Sequence, residues 1–310
     1  MILLRRTIEG RPQHVALFGI GLIGSAVLRA LERDGASAVF RCPVAWSRPA
    51  ERSRDLAAIA ERIEGALGHA GGDLQVIWSA GRCGFDAGEA EARDEQQGFD
   101  EAVTILADLA RNRPAASVGF LLVSSAGGLF EGQRRVDRNS APTPRRPYGR
   151  LKLHQEAWIR RDDAPWRADV VRPSSVVGPP GVGHRQGLVT TLLRNGLRGV
   201  PSRIVGRMET LRDFVPVEDV GSFVAARTRR PVREEGEVAT LASARPSSLA
   251  QIQHTVESAL GHKIYVSYAL APSNEVDITF SPSLLPPGWS PGDLAASVRR
   301  IHQTLLAGAA

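Results

Sequence analysis

His14-Val15-Ala16-Leu17-Phe18-Gly19-Ile20-Gly21-Leu22-Ile23-Gly24 is the stretch on which the fold turns. An apolar strand runs straight into glycines spaced Gly-x-Gly-x-x-Gly, and a helical face of Ile23, Val27, Leu28 and Leu31 follows. Each glycine has its own task. Gly19 permits a tight turn, Gly21 lets the backbone approach a pyrophosphate, and Gly24 allows the helix to pack closely on the strand. The helix N-terminus then faces the phosphate charge. Gly19, Gly21, Ile23 and Gly24 are therefore expected to hold a dinucleotide.

Outward from this stretch the chain alternates strand and helix. Residues 1–14 carry Arg5, Arg6 and Arg11 without a long apolar run, and read as a short leader to the first strand, not as a secretion signal. Downstream, a second strand is expected over 38–46, broken or bulged near Pro43. A helix over 51–67 follows, with Leu56, Ile59, Ile63 and Leu67 as its apolar stripe and Gly71-Gly72 at its end. Leu74-Gln75-Val76-Ile77-Trp78 is a near-continuous apolar run of the kind buried on both faces of a parallel sheet. It empties into Ser79-Ala80-Gly81, small residues that would let a cofactor lie against the backbone at Ala80. A helix over 95–111 turns Phe99, Val103, Leu106 and Leu109 inward, and Val118-Gly119-Phe120-Leu121-Leu122-Val123 is another buried strand. That strand ends at Ser124-Ser125-Ala126-Gly127-Gly128, and hydroxyls at the carboxyl end of a central strand lie where open α/β sheets hold ligands.

One more short strand, Ala168-Asp169-Val170-Val171, enters Arg172-Pro173, after which the alternation becomes irregular. Stretches rich in Pro and Gly at 179–183 and 285–291 separate shorter elements, among them a helix over 247–260. The expected fold is α/β: a Rossmann doubly wound parallel sheet with a smaller C-terminal substrate-binding lobe. The first domain would span 1–175 and the lobe mainly 176–310, with about 205–240 returning to the first domain. At the end of the second strand, sites that prefer NAD place an acid on the adenosine ribose. Here Ser47-Arg48 stand, with Arg52 and Arg54 close behind. An acid is missing where a 2′-hydroxyl would want one, and cations stand where a 2′-phosphate would. The cofactor expected is NAD(P) with a lean to NADP, its adenosine end at Ser47 and Arg48.

The chemistry is concentrated in Pro147-Tyr148-Gly149-Arg150-Leu151-Lys152. A tyrosine and a lysine four residues apart on one helix project from the same face, one turn apart. An ammonium beside a phenol favours the phenolate, so such a pair can move a proton near neutral pH. Composition sharpens the signal. Lys152 and Lys263 are the only lysines, and Tyr148, Tyr265 and Tyr268 the only tyrosines. An exposed lysine beside a packed tyrosine is the bland alternative.

The balance of 39 Lys and Arg against 33 Asp and Glu leaves a net charge of +6, and the pI is near 10.1. The arginines alternate with acids, as in Glu51-Arg52-Ser53-Arg54-Asp55, with no aromatic-studded basic stripe, so a nucleic-acid partner is not expected. No stretch reaches the roughly 18 apolar residues of a membrane span, so no membrane partner is expected and a cytoplasmic location is the default. Cys42 and Cys83 are too few for a disulfide framework and read as small buried hydrophobes. His14, His154 and His302 lack metal spacing, so no metal site is expected.

The order of these blocks resembles the extended short-chain dehydrogenase/reductase family, in its NAD(P)-dependent branch of nucleotide-sugar epimerases and dehydratases of the UDP-glucose 4-epimerase kind. The blocks are Gly19-x-Gly21-x-x-Gly24, Ser124-Ser125, Pro147-Tyr148-Gly149-x-x-Lys152, Arg172-Pro173, Gly178-Pro179, and Arg212-Asp213-Phe214-Val215-Pro216-Val217-Glu218-Asp219-Val220. The resemblance implies that Tyr148 is the acid/base while hydride passes between a sugar carbon and the nicotinamide. It implies that Lys152 favours the phenolate and binds the nicotinamide ribose, that Pro173 contacts the cofactor, and that Arg212 meets the pyrophosphate of a nucleotide sugar. For Arg212 an ion pair with Asp213 or Glu218 is the structural alternative. The resemblance also implies a homodimer built through two helices per subunit, one of them bearing the Tyr-Lys motif.

Three departures from the family pattern stand out. Counted back from Phe130, which occupies the place of a family tyrosine, the catalytic Ser or Thr falls on Ala126, leaving Ser125 or Ser124 to substitute; Ser125 is taken as the catalytic and substrate-binding hydroxyl. Gly127 and Gly128 stand where dehydratases carry an Asp-Glu pair, which argues against loss of water. Ser47-Arg48 replace the ribose-binding acid. The function expected is an epimerase or ketoreductase of a nucleotide-activated sugar. The alternatives are a reductase of a non-nucleotide carbonyl compound and a catalytically weak dinucleotide-binding regulator.

Overall fold

A hairpin opens the chain. In the computed structural model, which describes residues 1–68, 72–113, 117–179, 186–232, 234–269 and 276–308, Ile2–Ile8 (β1) pairs antiparallel with Arg11–Phe18 (β2). The two residues between them, Glu9 and Gly10, have φ of 48° and 77°, the left-handed pair that suits a two-residue hairpin turn. Residues 1–14 are therefore not a leader. Ile2, Leu3 and Leu4 are buried, and β1 lies between β2 and Ser37–Arg41 (β3), antiparallel to both. Arg5 and Arg6 disguise this strand in the sequence. Arg6 is nevertheless buried, donating to Gln13 Oε1 at 2.8 Å and to Thr228 Oγ1 at 2.6 Å, with Asp34 at 3.6 Å.

Beyond the hairpin come Leu22–Arg33 (α1), β3, Pro49–Leu67 (α2), Asp73–Trp78 (β4), Glu89–Arg111 (α3), Val118–Val123 (β5), Ala126–Leu129 (α4), Pro147–Ile159 (α5) and Arg167–Pro173 (β6). Then follow Ser175–Val177 (β7), Leu188–Leu197 (α6), Ser202–Val205 (β8), Leu211–Arg212 (β9), Phe214–Pro216 (β10), Val217–Arg227 (α7) and Val238–Leu241 (β11). The chain closes with Ser247–Ser248 (β12), Leu249–Leu260 (α8), Val266–Ala269 (β13) and Leu294–Ala307 (α9). A seven-stranded sheet runs β11-β6-β5-β4-β2-β1-β3, in which β2, β4, β5 and β6 pair in parallel. This is the doubly wound Rossmann-type sheet expected, with one antiparallel strand let into it.

Some boundaries move for local reasons. β3 stops at Arg41, short of 46, and Pro43, which has no N–H to give a ladder, falls in the loop after it. The irregularity expected near Pro43 sits instead in β1, where the register with β3 shifts between Leu3 and Leu4. α3 starts at Glu89, six residues earlier than its apolar pattern suggests. Glu91 accepts from the Gly88 N–H at 2.9 Å, and Glu89 and Glu91 complement the helix N-terminus. Gly71 and the stretch 180–183 lie outside the described residues.

The chain divides into two compact units. One comprises Met1–Leu129, Pro144–Arg172 and Gly221–Ala239; the other comprises Phe130–Thr143, Pro173–Val220 and Thr240–Ala310. The first is built on Phe18, Trp78, Phe99 and Phe120, packed between sheet and helices. The second packs α6, α8 and α9 through Leu192, Leu193, Ile252, Val256, Val298 and Ile301. Residues 130–143 fall in the second unit, where the sequence places them in the first. Their backbone bonds there: Val136 N donates to Thr279 O at 2.9 Å, and Ser281 N donates to Val136 O at 2.8 Å.

Candidate active site

The glycine turn is built by close approach. Gly19 has φ of 85°, and a Cβ there would lie 2.3 Å from the Ala80 backbone. A Cβ on Gly24 would lie 1.8 Å from the Gly19 carbonyl oxygen, so α1 can sit on β2 only without a side chain at that position. Ser79 fastens the turn from the next strand, donating to the Gly19 carbonyl at 2.6 Å. At Gly21, the N-cap of α1, a Cβ would meet nothing within 4 Å. The space beside Gly21, at the helix N-terminus, is thus clear of protein atoms. Beside it, Trp46, Trp78, Ala80, Gly81, Glu95, Gly98 and Phe99 line a hollow. The buried Trp78 Nε1 finds no hydrogen-bond partner among the described residues.

The cations expected at an adenosine end are unequal. Arg52 is buried, donating to Glu101 at 2.8 Å and to the Trp46 carbonyl at 3.0 Å, so it serves the fold and not a phosphate. Arg48 is exposed at the N-cap of α2 and pairs with Glu51 at 2.8 Å, while Arg54 donates to the Ala50 carbonyl at 3.2 Å.

Strands β2, β4 and β5 are consecutive and parallel in the sheet, so the glycine turn, Ser79-Ala80 and Ser124-Ser125 share one carboxyl edge. α5 starts on Pro147, whose fixed φ and missing N–H suit a first helical position. Tyr148 is half-buried and Lys152 is 6% exposed on the same face, with Lys152 Nζ 5.8 Å from the centre of the Tyr148 ring. Lys152 Nζ donates to Gln155 Oε1 at 3.0 Å, and Gln155 is wholly buried. The two glycines before Leu129 allow α4 to lie against α5. A Cβ on Gly128 would be 3.0 Å from the Tyr148 ring, and one on Gly149 would be 2.2 Å from the Gly128 carbonyl oxygen.

The two serines have different partners. Ser124 Oγ donates to Glu156 Oε1 at 2.5 Å, and Glu156 also accepts from Arg172 Nε at 2.9 Å. Ser125 Oγ accepts from the Gly128 N–H at 3.1 Å and keeps its own proton to give elsewhere. Ala126 is wholly buried. Cys83, expected buried, is only half-buried; its N–H and that of Arg82 donate to Glu95 Oε2 at 2.8 and 2.6 Å. Burial and the Glu95 carboxylate push its thiol up to about 12. Cys42 is half-buried too, its sulfur accepting from Arg62 at 2.8 Å.

Pro173 and Arg212 belong to the second unit. Pro173 is buried at the end of β6. Arg212 donates to the carbonyls of Leu211 at 2.9 Å and Val276 at 2.5 Å. Asp213 is buried, accepting from Ser174 Oγ at 2.7 Å and from Ser243 N and Oγ, both at 2.8 Å. Among the described residues no group of three or more His, Cys, Asp or Glu could hold a metal ion, and no helix is long and apolar enough to cross a membrane.

Residues 15–242 match the model of the NAD dependent epimerase/dehydratase family. The chain belongs to that family, whose members are enzymes of the extended short-chain dehydrogenase/reductase type. No curated protein matches it significantly in sequence. Solved structures similar in fold include UDP-glucose 4-epimerase of Thermus thermophilus in complex with NAD, at a TM-score of 0.75 and 16% identity over 94% of this chain and 98% of that one. UDP-glucose 4-epimerase of Thermotoga maritima with UDP-glucose has a TM-score of 0.72 and 18% identity over 96% and 99%. RMD of Pseudomonas aeruginosa complexed with NADPH has 0.69 and 17% over 96% and 99%.

Nothing in the sequence places Trp46 and Trp78 around the hollow beside Ala80, or Phe85 against Tyr148. The two tryptophans read as the ends of apolar strands. Phe85 stands in a loop without periodicity, and nothing local signals it.

Proposed function

We propose that the chain is an NAD(P)-dependent epimerase or ketoreductase of a nucleotide-activated sugar, with Tyr148 as acid/base, Lys152 as its cationic partner and Ser125 as the substrate-orienting hydroxyl. The observation that carries this reading is the seating of Tyr148 and the buried Lys152 on one face of α5, in the unit that holds the glycine turn. Ser125 is preferred to Ser124 because the Ser124 proton is given to Glu156. Gly19, Gly21, Ile23 and Gly24 would hold an NAD(P) pyrophosphate at the α1 N-terminus, with Ala80, Ser47 and Arg48 toward its adenosine end and Pro173 as a further contact. Bound there, the nicotinamide supplies acceptance and return of hydride. Tyr148 takes the substrate hydroxyl proton at its phenolic oxygen or returns it, and Lys152 holds the negative charge that develops on that oxygen. The lean to NADP rests on the exposed Arg48 and Arg54, since Arg52 is committed to Glu101. The absence of an Asp-Glu pair at Gly127-Gly128 favours hydride exchange over loss of water. Two chains would pair through α3 and α5, which pack side by side with Asp100 and His154 bonded at 2.8 Å.

The test is turnover of a panel of UDP- and dTDP-hexoses with NAD+ or NADPH. Tyr148→Phe should lower kcat by about 10²–10⁴-fold with little change in KM. A variant that kept full turnover would sink the reading. Mass spectrometry of nucleotide released on denaturation decides the cofactor: retained NAD supports an epimerase that recycles it in place, whereas NADP supports a reductase. A second reading, reduction of a non-nucleotide carbonyl compound, draws on the commitment of Arg212 to two backbone carbonyls. UDP would then fail to bind.

A further inference from the structure

The loop between β4 and α3 places an aromatic ring on the acid/base. Phe85, 36% exposed, lies with its ring centre 5.8 Å from that of Tyr148 at an interplanar angle of 41°. It is held there twice by one residue. Arg146, the N-cap of α5, donates to the Phe85 carbonyl at 2.8 Å and carries its guanidinium 5.2 Å from the Phe85 ring centre. Both rings rest on glycine: a Cβ on Gly127 would lie 3.3 Å from Phe85 Cζ, and one on Gly128 would lie 3.0 Å from the Tyr148 ring. The pair Gly127-Gly128 therefore does more than omit two acids. Any side chain there would push against the aromatic pair.

We propose that Phe85, clamped by Arg146 and seated on Gly127, is the specificity-determining wall of the site, covering one side of Tyr148 and selecting a substrate ring that offers it an uncharged C–H face. An aromatic face packs well on the apolar C–H face of a pyranose. The class selected is thus a sugar ring that turns an apolar C–H face to Phe85. This rests on the reading of Tyr148 as acid/base.

The experiment uses Phe85→Ala and Gly127→Ala in the full chain, with UDP-glucose and UDP as probes. N-acetylimidazole is applied separately, and acetylation is read tyrosine by tyrosine by mass spectrometry. Phe85→Ala should weaken UDP-glucose about tenfold while leaving UDP unchanged, because the wall meets the sugar alone. Tyr148 should be acetylated severalfold faster than in wild type, while Tyr265, 72% exposed, stays as it was and serves as the control. Gly127→Ala, which displaces the ring without deleting it, should move both readouts the same way by less. Phe85→Tyr, which keeps the ring, should restore both. Equal weakening of UDP-glucose and UDP overturns the proposal, as does a Tyr148 acetylation rate indifferent to Phe85. If neither UDP-glucose nor UDP binds the wild type, the functional reading fails separately. Faster Tyr148 acetylation then keeps Phe85 as the cover of a site for another ring.

Discussion

Three glycines of one motif make different demands, and substitution separates them. Ala at position 24 would drive a methyl group into the Gly19 carbonyl, so Gly24→Ala should cost about 3 kcal/mol of stability, read as a lowered urea midpoint. Ala at position 21 meets no protein atom, and Gly21 has an ordinary φ of −83°. Gly21→Ala should fold within about 1 kcal/mol of wild type yet lose NADH affinity about tenfold or more, followed by fluorescence titration. Equal destabilisation of the two variants would remove the argument that Gly21 stands clear for a ligand. At this scale the sequence was legible wherever a residue type is rare or its backbone role strict: Tyr148, Lys152 and the glycines could be named from spacing. Phe85 and the division of labour between Ser124 and Ser125 could not. Both depend on which atoms approach from elements far away in the chain, such as Glu156 32 residues on from Ser124.

At the scale of elements, the buried parallel strands were readable because a run such as Val118–Val123 has no polar residue to mislead. β1 was not, because Arg5 and Arg6 break its apolar run and the partners that satisfy Arg6 include Thr228, 222 residues away. The strand it pairs with carries a second consequence. His14 on β2 is buried opposite Arg5, and its Nδ1 has no partner among the described residues. Burial first, then the charges of Arg5 and Arg113, hold its imidazole below the ordinary range. The folded chain therefore resists protonating His14, whereas the unfolded chain protonates it freely below about pH 6.5. Stability from this group is present above that pH and is lost as pH falls through the window beneath it. In urea unfolding at pH 7.5 and 5.5, His14→Phe should lose less of its midpoint than wild type. Equal losses in the two proteins would assign the acid sensitivity to other groups.

For the whole molecule, the sheet order and the split into two units set which surfaces remain for a partner. In the first unit α3 packs against α2 and α5, so its outer face and that of α5 form one surface. On the outer faces of these helices Ala157 is exposed and Leu153 is half-buried, among the exposed Thr104, Asp108 and Arg150, whereas Trp158 stacks on Trp166. Two copies related by a twofold axis would bring each such face onto itself, and small side chains let helices approach closely. The proposed pairing thus predicts a mass of about twice 33.3 kDa by sedimentation at micromolar concentration. Ala157→Arg sets a bulky cation against its own symmetry mate without touching the buried face of α5 that carries Lys152, Gln155 and Glu156. It should yield folded single chains of 33.3 kDa that still bind NADH. A variant that stays paired would move the interface elsewhere, and a wild type that sediments as single chains would remove it.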